Sequence, residues 1–210
     1  KLKDAYIRLV VTRGVGDLGL DPRKCPKASV IIITDTISLH VTGAKENGIT
    51  TMFSWVRRNP VDATTHEIKS LNYLNSVLAK IEANANGVDE AICLESNGYI
   101  AEGVGENIFI VKDDKILTPP TSTGALAGIT AEVVVKLAAE LGYEVTVTNL
   151  TPFMLFTADE AFFTGTAMEM VPIREVNKRQ IGTGKPGPVT KKLMAAFQTV
   201  IEDRTQGIQI

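Results

Sequence analysis

The stretch 69–118 constrains the fold most, because its hydrophobic period changes part-way along. From Lys69 onward, Leu71, Leu74, Val77, Leu78 and Ile81 recur at helical spacing among good helix formers, and Gly87 stops the run. Short β-type runs follow at Ala91–Glu95, Tyr99–Glu102, Asn107–Lys112 and Lys115–Thr118. Asn97-Gly98 and Asp113-Asp114 divide them and are hairpin signals. The expectation is a helix followed by an antiparallel meander. A chain of 210 residues, 44% of them apolar, can bury such an arrangement in one large domain with part of another.

Upstream, Ala5–Thr12 and Ala28–Ile37 are rich in β-branched residues and flank the loop GVGDLGLDP, which reads as a strand pair. Ile49–Arg57 is a further strand, closed by Asn59-Pro60. The polar stretch His40–Asn47 marks a boundary, giving a unit at 1–40, a linker at 41–48 and a larger domain at 49–210. Downstream, a helix opening at Gly128-Ile129-Thr130 turns Ile129, Val133, Leu137 and Leu141 to one face until Gly142. A strand at Glu144–Thr148, a short helix at Pro152–Thr157 and strands at Ala161–Thr164 and Met168–Val176 follow. The last helix has Pro188 in its first turn and Leu193, Phe197 and Ile201 inward. The fold class is α/β in the mixed α+β sense.

The 22 basic and 24 acidic residues are scattered, with a net charge of −2, so no single-sign patch attracts nucleic acid or anionic lipid. A small-molecule ligand is expected. Apolar runs such as Ala28–Ile33 fall far short of the roughly 20 residues a membrane span needs, and KLKDAYIRLVV lacks a signal-peptide core, so a cytoplasmic protein is expected. Cys25 and Cys93 are far apart with no clustered histidines, which indicates neither a disulfide framework nor a metal site.

Several segments can carry chemistry, and each has a plainer alternative. Gly124–Thr130 runs a glycine-bearing loop into a helix N-terminus, an anion seat or simply an eased transition. Thr164-Gly165-Thr166-Ala167 is a small-residue turn that could share a phosphate, or a common strand connection. Glu102 and Glu106 in YIAEGVGEN are carboxylates with assigned partners, or solvated glutamates on a bend. Lys69, at the head of an amphipathic helix, is a nucleophile or a solvated charge. The tail GTGKPGPVT misses the phosphate-loop spacing and contains two prolines, so a nucleotide site there is rejected. With only His40 and His66, a hydrolase triad is poorly supported.

Taken in order, KSLNYLN (69–75), GYIAEGVGENIFIV (98–111), LTPP (117–120), ALAGIT (125–130), ADEAFFTGTAMEMVPI (158–173) and GPVTKKL (187–193) resemble the fold-type IV pyridoxal-phosphate (PLP) enzymes, most closely the branched-chain aminotransferases. The resemblance spans nearly the whole chain. It implies a large pseudo-barrel α/β domain and the remaining part of a smaller α+β domain. It implies Lys69 as the Schiff-base lysine, Tyr73 on the cofactor's phenolic oxygen and, at a spacing of four, both on one helical face. Glu102 would pair with the pyridine nitrogen, and Leu126 would pack on the ring. The Ile129 and Thr130 amides with the Thr166 hydroxyl would seat the phosphate, and the Thr166 and Ala167 amides the substrate carboxylate. Tyr6 and Arg8 match a Tyr-x-Arg strand that holds the second carboxylate of glutamate, and Leu18 and Leu20 a loop lining the side-chain pocket, partly from a neighbouring subunit.

The activity implied is a ping-pong transfer of the amino group of Leu, Ile or Val to 2-oxoglutarate, by a homodimer or larger homo-oligomer. Glu106 falls on a supporting or substrate-side position. D-amino-acid transaminase, aminodeoxychorismate lyase and a non-catalytic phosphate-ligand binding module are the alternatives. Two departures stand out: Ala127 and Ala131 replace the family's usual Pro and Arg around Gly-Ile-Thr, and the family's N-terminal region is not represented. Residues before Lys1 are therefore expected, since the chain without them should hold the cofactor weakly.

Overall fold

The computed structural model describes residues 5–36 and 42–203, and the chain separates into two compact units, 1–40 and 41–210. In the first, β1 (Tyr6–Thr12) and β2 (Ser29–Asp35) form an antiparallel ribbon with Tyr6 opposite Asp35 and Thr12 opposite Ser29. Its apolar side chains, among them Ile7, Leu9, Val11, Val30 and Ile32, stay exposed, because two strands alone have no second layer to bury against. The expected end of β2 at Ile37, and His40, lie outside the described residues.

In the second unit the stretch expected as a linker contains a helical turn, α1 (Ala44–Asn47), whose Lys45 pairs with Glu169. Nine strands form one sheet: β3 (Ile49–Phe53), β4 (Glu90–Leu94), β5 (Ile100–Gly103), β6 (Asn107–Lys112), β7 (Lys115–Thr118), β8 (Val145–Val147), β9 (Glu160–Gly165), β10 (Glu169–Val176) and β11 (Arg179–Gln180). Their order is β5-β4-β3-β10-β9-β6-β7-β8, with β11 beside β10. The sheet curls onto itself: the Ile100 amide on edge strand β5 donates to the carbonyl of Leu150, just past β8 at the other edge, at 2.8 Å. Closure removes most of the open edge and makes the expected pseudo-barrel.

The expected meander is instead two separate hairpins, β4–β5 and β6–β7, because β6 pairs with β9 rather than with β5; β3–β4 and β7–β8 pair in parallel. A parallel pair needs a long crossover, and the helices α2 (Leu74–Ala85) and α3 (Ile129–Glu140) supply one each. The Asp113-Asp114 turn joins β6 to β7 with both residues at positive φ, +50° and +59°, as a two-residue hairpin requires. Asn177-Lys178, at +49° and +62°, makes an equivalent turn into β11 that sequence reading passed over.

Alternation along β6 and β9 sorts side chains into two cores. Ile108, Ile110 and Phe163 pack with Leu150 and Leu155 on one face; Phe109, Val111 and Phe162 lie on the other under α3 and α5 (Pro188–Glu202). The Phe109 and Phe162 rings stack at 5.2 Å, and burying each ring contributes about 1.5–3 kcal/mol. A short helix, α4 (Pro152–Phe156), is capped by Thr151 and buries Leu155.

The helix faces depart from the periodicity reading. In α2 the inward residues are Ser76, Ala79 and Ala83, while Leu74, Val77, Leu78 and Ile81, like Leu71 ahead of the helix, are exposed. Alanines permit close approach to Ala91 and Cys93 of β4, a distance that leucines would prevent. In α3 the buried set is Thr130, Val134, Leu137 and Ala138, with Ile129 and Leu141 exposed. In α5, Leu193 is fully buried, Phe197 is half-buried and Ile201 is exposed.

Candidate active site

The chain leaving β3 carries Arg58, whose side chain is wholly buried. Its guanidinium reaches four partners. Nη1 donates to Asn75 Oδ1 and Ser76 Oγ, both at 3.0 Å, where α2 begins; Nη2 donates to the Gly103 carbonyl and lies 3.2 Å from Glu102 Oε1. Gly124, at φ +88°, leaves the room that the arginine stem occupies, for a Cβ there would lie 2.8 Å from Arg58 Cγ. A planar guanidinium fork reaches acceptors on two segments at once, the start of α2 and the end of β5.

Glu102 on β5 is 5% exposed. Its Oε2 accepts from the Leu126 amide at 2.9 Å, and Oε1 faces Arg58. Burial pushes the carboxyl above its ordinary range, against the opposing pull of Arg58, the Leu126 amide and Lys69. The Leu126 carbonyl is held in turn by Asn107 Nδ2 at 2.7 Å, and a Cβ at Gly128 would collide with the Asn107 side chain. Glycine at 128 is thus required for close approach, and it leads into α3, whose first turn no side chain caps. Because Asn107 pairs with Thr164 across β6 and β9, the same sheet end carries the Thr166–Met168 turn.

Lys69 lies on the loop before α2, exposed, and makes none of the ion pairs found among the described residues. Its Nζ donates to the Tyr73 hydroxyl at 3.1 Å. Tyr73 directly precedes α2, so the two are joined across an entry turn rather than along a helical face. The helix starts later than its apolar pattern because the chain must first bring Lys69 and Tyr73 to a cavity lined also by His66, Glu102, Asn107 and Leu126.

The family described as amino-transferase class IV matches residues 1–176. This chain belongs to that family. A protein of Methanocaldococcus jannaschii, provisionally named a branched-chain-amino-acid aminotransferase, is 53% identical over 199 residues, 95% of this chain and 68% of that protein. The crystal structure of the Escherichia coli branched-chain amino acid aminotransferase superposes with a TM-score of 0.90 at 41% identity, covering 93% of this chain and 65% of that one. The T.th. enzyme of the same name, complexed with N-(5'-phosphopyridoxyl)-L-glutamate, gives 0.88 at 37%, over 95% and 65%. The class IV chain thus spans about two thirds of the length of these relatives.

Of the residues expected in this aminotransferase site, Lys69, Tyr73, Glu102 and Leu126 line one cavity. Ile129 and Thr130 open α3, and Thr166 and Ala167 form the β9–β10 turn. Tyr6 and Arg8 lie on β1 of the first unit, with the Arg8 guanidinium 5.9 Å from the Tyr6 ring centre, and Leu18 and Leu20 are fully exposed on the loop that follows. Glu106 is half-buried in the Gly103–Gly105 bend, where burial and then Glu90 push its carboxyl up to about 7. Sequence reading missed Arg58, Asn107 and His66. Arg58 stands beside a second arginine in Arg57-Arg58-Asn59-Pro60, and its only signal was its place in a strand end that leads to Lys69.

Proposed function

We propose that the chain carries the PLP-binding part of a transaminase that moves the amino group of branched-chain L-amino acids to 2-oxoglutarate. One observation carries the reading: an exposed lysine amine, a tyrosine hydroxyl 3.1 Å from it and a buried carboxylate line a single cavity. Those are the donor types a pyridine aldehyde with a phenolic oxygen needs, so the residues fit the cofactor.

When bound, PLP supplies an electron sink conjugated to the substrate Cα. Lys69 would be the nucleophile that holds it and the base for the Cα proton. Tyr73 orients the phenolic oxygen and the Lys69 amine together. Glu102, whose anionic form Arg58 and the Leu126 amide favour against the upward push of burial, would hold the proton on the ring nitrogen. Leu126 covers the ring, the Ile129 and Thr130 amides with the Thr166 hydroxyl bind the phosphate, and the Thr166 and Ala167 amides take the substrate carboxylate. Ala127 and Ala131 bring no charge to that seat, so backbone groups do the binding there. Tyr6 and Arg8 recognise the second carboxylate of glutamate, and Leu18 and Leu20 the aliphatic side chain.

A homo-oligomer in the cytoplasm is part of this reading. Support comes from the apolar side chains left exposed on α2 and on the β1–β2 ribbon, which assembly would cover. No helix among the described residues is long and apolar enough to cross a membrane.

Adding PLP should give an absorbance band that K69A lacks, and L-leucine with 2-oxoglutarate should yield the branched keto acid. A chain that never colours would leave a phosphate-binding module; turnover of D-alanine without L-leucine would favour a D-amino-acid transaminase.

A further inference from the structure

Among the described residues, His66 is the titratable side chain that approaches Glu102 from the loop ahead of Lys69. It sits on the loop 61–68, three residues ahead of Lys69, and its side chain is 17% exposed. Its Nδ1 stands 4.0 Å from Glu102 Oε1, the oxygen that Arg58 approaches to 3.2 Å, and its ring lines the cavity shared by Lys69 and Tyr73.

We propose that His66 is a positioning residue for Glu102: its imidazole approaches the same carboxylate oxygen as Arg58 and keeps the carboxylate turned toward the cavity. This rests on the reading of Glu102 as the partner of the cofactor's ring nitrogen. As the Nδ1–H tautomer, a neutral His66 would present a donor to Oε1 across the 4.0 Å that separate them. Arg58 and the Leu126 amide then fix the remaining directions, so the carboxylate has one orientation.

Protonation reverses the effect. A cationic His66 would draw the carboxylate's charge toward the loop and away from a protonated ring nitrogen. Burial, and then the Arg58 charge, hold the imidazole below the ordinary histidine range, so the neutral, positioning form is present at neutral pH and is lost only on the acid side. The charged and titratable groups facing His66 are Arg58, Glu102, Lys69 and Tyr73, and among the described cavity residues Glu102 is the one carboxylate. Glu67, next in the loop, instead accepts from the Thr121 hydroxyl at 3.1 Å. The two titrations are therefore coupled through a single oxygen.

The full chain holds two histidines, so H66N identifies the His66 resonance in an NMR titration without any cofactor added. Removing the anion with E102Q should lower the His66 midpoint further, by about half a pH unit or more. An unchanged midpoint would overturn the proposal, whether or not the chain takes PLP. With PLP bound, the acid-side change in its absorbance should follow the His66 midpoint. That change should vanish in H66Q, which removes the titrating group, and in H66N, which keeps a donor that does not titrate. The same acid-side transition in all three proteins would defeat the proposal even if transamination is confirmed; a chain that refuses PLP defeats the transaminase reading and leaves the NMR result to decide this one.

Discussion

Glu102 and Lys69 share a cavity and are held in opposite ways. The carboxylate is buried, pairs with Arg58, accepts from the Leu126 amide and lies on edge strand β5; the lysine is exposed, touches one hydroxyl and rides a loop. A group that must present the same charge in every step gains from having a single conformation. A group that must attach, release and carry a proton gains from slack, and a loop gives it. Rigidity in this site is distributed according to what each residue does.

The largest effect should come from breaking the rigid end. Arg58→Met leaves Glu102 and the Gly103 carbonyl buried without their cation, and should cost about 3–5 kcal/mol in urea unfolding; a loss under 1 kcal/mol would mean that the guanidinium does not hold the site together. Gly128→Ala places a methyl against Asn107 and should cost about 1–3 kcal/mol, read as a lower Tm.

Glu106 sharpens the comparison through pH. Its carboxyl is raised from an ordinary 4.5 to about 7, so the folded state prefers the protonated form. Its contribution is whole below pH 4.5 and fades as pH climbs through 7, and Glu106→Gln should flatten that decline and stabilise the protein at pH 8 by on the order of 1–2 kcal/mol. A variant whose stability falls with pH as steeply as the parent would assign the slope elsewhere. At the slack end, Lys69→Ala should change stability by less than about 0.5 kcal/mol while abolishing the band formed with PLP. A large loss of Tm there would show that the loop bears structural weight.

The elements of the fold were legible wherever local chemistry decides them: the strands of the ribbon, the Asp113-Asp114 hairpin, and α3 opening after Gly128. The strand order was not, because pairing β3 with β10 depends on contacts more than 120 residues apart, such as the Thr51 hydroxyl donating to the Glu175 carbonyl at 3.0 Å. Motif and order singled out Lys69 and Glu102, and the structure sets both on one cavity. Arg58 was not, since an arginine beside another arginine at a strand end has nothing in its neighbours to mark it as buried.

By itself the sequence determined element types, turn positions and family, because propensity, glycine placement and motif order are properties of neighbouring residues. Only the tertiary structure decided which helix faces turn inward, that Lys69 and Tyr73 meet across a turn, and that Arg58 and His66 converge on Glu102. The reason is that burial belongs to surfaces brought together, and a small-residue face can outcompete a leucine face when the strand beneath requires close approach.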